Sequence, residues 1–238
     1  MFAHHEVRVG VGCAVTDRFG GTSSGSYGEL NLAGHVGDDP TAVAANRARL
    51  VDALEVDGVA YMNQVHGRDV AVVDAPSEAP PTADALVTRT PRLGLAVLVA
   101  DCTPVLLWDR RARVIGAAHV GRRGLAADVV SATVDVMSQL GARVDRVYAH
   151  VGPAICPEHY EVPAEMRDEV GALVRDSAAT TRDGRPAINI RHGIAAQLID
   201  VGVRRMVVST TCTAEEPRYF SYRRDDVTGR FAGVVWMQ

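Results

Sequence analysis

Three short segments put metal-ligating side chains beside glycine or at breaks in apolar runs. His66 lies in NQVHGRDV between polar residues and Gly67, where an imidazole is presented rather than packed. Cys102 follows Asp101 in LGLAVLVADCTPVLLW, so a thiol and a carboxylate interrupt an otherwise apolar stretch. His119 closes VIGAAH, and Gly121, Arg122 and Arg123 follow it at a helix start, where unpaired N–H groups and positive charge suit an anion. Two imidazoles and a thiolate make a His2Cys set, which can hold catalytic zinc and leave a fourth position open. The wide gaps between the ligands are unlike a zinc finger, so only the fold can bring them together. The bland readings are a packed thiol at Cys102 and solvated arginines at 122 and 123.

Asp101 is costly to bury without a partner, and orienting a metal-bound histidine would be a suitable task for it. The run Cys156-Pro157-Glu158-His159 is a second place where ligand types gather, but Pro157 crowds it and no chelate is expected there. Cys13 and Cys212 have no polar ligand pattern near them in sequence and read as structural thiols.

The elements that must position these residues follow from periodicity. Residues 6–16 alternate as a strand, and the glycine- and serine-rich FGGTSSGSYGELNL is a loop. Asp39 before Pro40 starts a helix that apolar spacing carries to Leu54. Short apolar runs at Val59–Met62, Val70–Val73, Ala85–Val87, Leu95–Ala100, Val105–Trp108 and Val114–Ala118 read as strands. Several are apolar on both faces, which requires layers on both sides. Gly121–Gln139 is helical with Gly141 as its stop. Further strands are expected at Val147–Val151, Met206–Val208 and Phe231–Trp236, and helices at Pro163–Val174 and Ile190–Val201. Residues 177–186 read as a mobile loop. The expectation is an α+β chain forming one domain over residues 1–238.

Composition narrows the chemistry. The chain has 238 residues, 47% of them hydrophobic, which is enough for a substantial core. All 25 basic residues are arginine; without lysine there is no Walker-type phosphate loop and no Schiff-base catalysis. A net charge of −4 supplies no field for nucleic acid. The run Leu93–Trp108 is too short and too interrupted to span a bilayer, and the N-terminus lacks the features of a secretory signal. Four widely spaced cysteines are expected to be reduced, in keeping with a cytoplasmic protein that is a monomer or weak homo-oligomer.

The ordered motifs NQVHG, ADALVT, ADCTPVLL, AAHVGRRGL, GPAICPEHYEV and FSYRRDDVTGR resemble those of the laccase-domain family. Its members were first labelled multicopper polyphenol oxidases and are now regarded as zinc-dependent purine nucleoside phosphorylases. The resemblance covers nearly the whole chain and implies a layered α/β/β/α sandwich with mixed sheets. It also implies Zn2+ on His66, Cys102 and His119, and phosphorolysis of purine nucleosides by inorganic phosphate, with adenosine deamination as an associated activity. Cys102, His119 and Asp101 are the catalytic candidates. Ser23, Asn31 and Arg47 match family positions expected to contact substrate or phosphate, and Arg123 is a further phosphate candidate. Two departures stand out: Arg122 replaces an aromatic in HAGWRG, and Asp226 replaces glycine in RRDG.

Three other functions use the same residues. Copper phenol oxidation is weakened because the eight histidines include no H-x-H pair. A cysteine amidohydrolase acting on peptidoglycan precursors would use Cys102 as nucleophile with His119 or His66 as base. A non-catalytic nucleoside-binding module would need only the pocket.

Overall fold

A computed structural model describes all residues 1–238. In chain order the strands are β1 (Phe2–Arg8), β2 (Val11–Thr16), β3 (Gly58–Ala60), β4 (Val70–Val72), β5 (Ala85–Thr88), β6 (Leu93–Val99) and β7 (Thr103–Asp109). They continue with β8 (Val114–Val120), β9 (Tyr148–Val151), β10 (Ala178–Thr180), β11 (Pro186–Ile188), β12 (Arg205–Val208) and β13 (Phe231–Met237). The helices are α1 (Pro40–Leu54), α2 (Arg122–Ala126), α3 (Val129–Gln139), α4 (Ala164–Leu173), α5 (Ile190–Asp200) and α6 (Tyr222–Asp225).

The strands form a five-stranded sheet, β1-β2-β13-β6-β3, and a six-stranded sheet, β12-β9-β7-β8-β5-β4, with β10 and β11 as a separate pair. Period-two alternation explains how both are buried on two faces. Along β13, Phe231, Val235 and Met237 join a core between the sheets, whereas Ala232, Val234 and Trp236 face Leu50 and Leu54 of α1. Along β7 and β8, Leu106, Ile115 and Ala117 point into the intersheet core; Val105, Leu107 and Ala118 pack with residues of α2, α3, α4 and α5. The result is the expected α/β/β/α sandwich with mixed sheets. No helix is long and apolar enough to cross a membrane.

Several elements differ from the sequence reading. The strand expected over 6–16 is a hairpin, because Val9 and Gly10 both take positive φ (48° and 82°) as the centre of a two-residue turn. The helix expected over 121–139 breaks at Asp128, which adopts φ 61° and caps α3 by accepting from the Ser131 N–H. Segment 177–186, read as a mobile loop, instead forms β10 and the turn that leads into its partner strand β11. Helix α1, by contrast, has the expected bounds, with Asp39 accepting from Thr41 N–H and Pro40 in the first turn.

Candidate metal centre and its cavity

The register of the six-stranded sheet assembles the first site. β7 and β8 are antiparallel with Thr103 opposite Val120, so one further step sets Cys102 across from Gly121. β8 carries His119 to the same edge, and the loop before β4 supplies His66. The ligating atoms of His66, Cys102 and His119 all lie within 4.8 Å of one another. Their imidazole rings meet edge to face at 70°, with centroids 4.7 Å apart.

Gly121 makes this approach possible. A Cβ at that position would stand 2.8 Å from His66 Nδ1 and 2.9 Å from Cys102 Sγ, inside any normal contact. A small divalent ion fits the donor set: two imidazoles and a thiol converge where any side chain at 121 would intrude.

Asp84 fixes the histidines. It is fully buried immediately before β5 and accepts the N–H groups of Val65 (3.2 Å), His66 (2.9 Å) and Gly67 (2.6 Å). Its Oδ1 also lies 2.8 Å from His119 Nδ1. Because burial disfavours its charge but these bonds outweigh that, the carboxyl is held below the ordinary range. A carboxylate can only accept, so Nδ1 of His119 carries the proton and Nε2 is left for a metal. Burial opposes a charged His119, but Cys102 and Asp84 overcome it and push its pKa up to about 9. Burial, followed by the proximity of His119, lowers that of His66. A metal would therefore bind with proton release.

Asp101 does not take the orienting role expected of it. Its Oδ1 accepts the Thr213 hydroxyl at 2.6 Å and its Oδ2 the Arg223 N–H at 2.7 Å, tying a late loop and α6 to the segment that carries Cys102. Both His66 (φ 60°) and Asp101 (φ 87°) have left-handed backbones, an unfavourable conformation held by these bonds. The acid that orients His119 was missed in the sequence; the signal available was the Asp within ADALVT.

The metal-ligand set opens onto a cavity of about 490 Å³, within the usual range of small-molecule sites. Leu98, Val99, Ile155 and Ile190 give it an apolar wall, Tyr160 and Tyr222 aromatic surface, and Arg122, Arg223 and Arg230 positive charge. Arg122 lines the cavity together with Tyr160, so the residue replacing the family's usual aromatic faces the site.

The other expected contacts lie elsewhere. Arg123 is exposed and absent from the cavity wall. Arg47 stacks 4.0 Å over Tyr61 and donates to the Leu32 carbonyl. Ser23 is buried, donating to Asp38 and accepting from Asn46. Asn31 accepts the Arg230 N–H at 2.9 Å and donates to Asp38, so it holds an arginine of the wall rather than forming the wall itself.

Residues 12–238 match the family described as multi-copper polyphenol oxidoreductase laccase. The chain belongs to this laccase-like family. Among its curated relatives, the "Purine nucleoside phosphorylase ORF3" of Streptomyces griseus is 55% identical over 94% of this chain and 93% of its own. The "Purine nucleoside phosphorylase SCO2081" of Streptomyces coelicolor is 51% identical, with full coverage of both chains. Solved laccase-like structures superpose closely. YlmD from Geobacillus stearothermophilus has a TM-score of 0.89 at 30% identity, covering 96% of this chain and 92% of that one. A Neisseria meningitidis protein also reaches 0.89, at 33% identity over 100% and 99%.

Proposed function

We propose that this chain is a zinc-dependent purine nucleoside phosphorylase, converting adenosine, inosine or guanosine and inorganic phosphate to free base and ribose 1-phosphate. The observation that carries the reading is a single cavity lined by both the His66–Cys102–His119 set and three guanidinium groups. The names of its relatives supply the substrate class, and the location of such a protein is the cytoplasm.

In this reading Arg122, Arg223 and Arg230 offset the charge of phosphate and hold it in line with the anomeric carbon. A phosphate oxygen bonds to that carbon as the glycosidic C–N bond breaks, and the bond's electron pair leaves with the purine. Tyr160 and Tyr222 give the base flat surfaces, and the apolar wall excludes water that would otherwise compete with phosphate. His66, Cys102 and His119 would hold zinc, which when bound would supply a Lewis acid. Asp84 keeps His119 in the tautomer that this requires.

Chelation followed by zinc restoration tests the assignment. Nucleoside cleavage should vanish and return with the metal, while phenol oxidation stays at background throughout. Asp84, His119 and Cys102 also stand in the order of an acid–base–thiol set, as a cysteine amidohydrolase needs. Activity that survives complete chelation would transfer the chemistry to the thiol. Phosphate-independent formation of inosine from adenosine is the readout for deamination by the same centre.

A further inference from the structure

A second group of ligand types lies beside the first cavity, at the ends of neighbouring parallel strands. β9 and β12 pair in parallel, Tyr148 with Arg205 through Val151 with Val208. Both strands run on into loops that a bridge between Ala154 and Cys212 holds together. The first loop makes a tight turn over Pro157–His159 and brings His159 back to Cys156. The second closes with the Glu216 N–H on the Cys212 carbonyl and brings Glu215 to the same point. Cys156-x-x-His159 and Cys212-x-x-Glu215 are thus two half-sites set face to face. Pro157, read in the sequence as crowding this run, starts the turn that brings His159 back to Cys156. Cys212 finds its polar partners in space rather than in sequence.

We propose that Cys156, His159, Cys212 and Glu215 form a second zinc site, closed by four protein ligands. Its dimensions carry the inference. Zinc bonds of about 2.0–2.3 Å in a tetrahedron require ligand-to-ligand separations of about 3.3–3.8 Å. Cys156 Sγ is 3.3 Å from His159 Nδ1 and 3.8 Å from the Glu215 carboxylate. Cys212 Sγ is 3.8 Å from the same Nδ1, and Glu215 Oε1 is 3.3 Å from it. All four ligand atoms lie within 4.8 Å of one another.

Two thiolates with an imidazole select zinc over magnesium or calcium, which prefer oxygen ligands. A divalent ion with two thiolates, one carboxylate and a neutral imidazole keeps one net negative charge. The buried guanidinium of Arg191 acts on Cys212, Cys156 and Glu215 and donates to the Thr211 carbonyl. The Cys156 N–H donates to Cys212 Sγ at 3.2 Å, a bond that favours thiolate.

The site would staple one wall of the cavity. Ile155 and Tyr160, which flank the Cys156–His159 turn, line that wall. Thr213, next to Cys212, holds Asp101 beside the first centre. This site shares no ligand with the first centre, so its metal is independent of nucleoside cleavage.

The test is zinc stoichiometry combined with thiol mapping on the reduced, full-length protein. Wild type should hold two zinc per chain, and the Cys156→Ser/Cys212→Ser double variant one. In wild type, zinc should slow iodoacetamide labelling of Cys156 and Cys212 at least tenfold, and chelation should restore it; this arm decides the matter if the double variant fails to fold. Equal zinc content in the two proteins, labelling that ignores zinc, or a Cys156–Cys212 disulfide that persists under reductant would overturn the proposal.

Discussion

The two ligand clusters use nearly the same residue types and differ in everything around them. At His66, Cys102 and His119 the protein brings together three side chains able to ligate a metal, with a buried carboxylate behind one of them and a cavity in front. At Cys156, His159, Cys212 and Glu215 it supplies four ligands and a buried arginine, and no cavity is needed. An open position with an oriented histidine suits chemistry; a filled coordination shell suits bracing. A third set, His4, Cys13 and His150, shows what such residues look like as core. It lies between the sheets, where burial pushes the Cys13 thiol up to about 12 and, with His4, the His150 pKa down to about 4. Residue type alone does not separate these three environments.

The largest effect should come from the first cluster. Cys102→Ala or His119→Ala should lose that cluster's zinc and reduce nucleoside turnover to background while keeping the other zinc; metal analysis beside product assays checks this. If both zinc ions left together, the two clusters would not be separate sites. Next, Asp84→Asn should weaken first-site zinc or activity about 10–100-fold, the usual cost of losing an orienting partner. Asp101→Asn should leave zinc affinity within about threefold, since Asp101 holds Thr213 and α6 rather than a ligand; equal losses in the two variants would mean that both acids support the metal.

The Cys156→Ser/Cys212→Ser variant should raise KM more than it lowers kcat, because the wall loosens while the first centre stays. With zinc about a thousandfold above its Kd, losing the site should lower Tm by about 10 °C relative to wild type. An unchanged Tm with and without zinc would remove the bracing role. Arg122→Ala should raise the KM for phosphate about tenfold, the scale of one charge-assisted hydrogen bond, with kcat little changed.

The smallest effect at neutral pH belongs to the third set. The folded-state pKa of His150, about 4, is below the ordinary 6.5. Below 6.5 the unfolded chain therefore takes up a proton that the folded chain refuses until about 4. Stability is unaffected above 6.5 and falls as pH drops from 6.5 towards 4, by at most about 3 kcal/mol. Urea unfolding of wild type and His150→Gln across this range should show the extra slope in wild type alone.

Elements with local signals were legible in the sequence. Asp39-Pro40 marked the start of α1, and the doubly apolar strands required layers on both sides of the sheets. The hairpin at Val9-Gly10 was hidden because a β-branched valine continues the strand pattern through a turn that needs positive φ. Asp84 was illegible as an orienter because its acceptor role depends on a loop 17–19 residues upstream and a strand 35 residues downstream. The neighbours of Cys212 were hidden for the same reason: parallel pairing of β9 with β12 brings it beside residues 156 and 159. Arg122, Arg223 and Arg230 could be seen as charges, but which arginines line the wall is decided by helix starts and loop ties.

The most direct test of the central claim is product identification after incubating zinc-analysed protein with inosine, with and without phosphate, beside Cys102→Ala. Hypoxanthine and ribose 1-phosphate are expected from wild type only when phosphate is present, and neither from the variant. Base release without phosphate, or at an undiminished rate from a variant lacking first-site zinc, would contradict it.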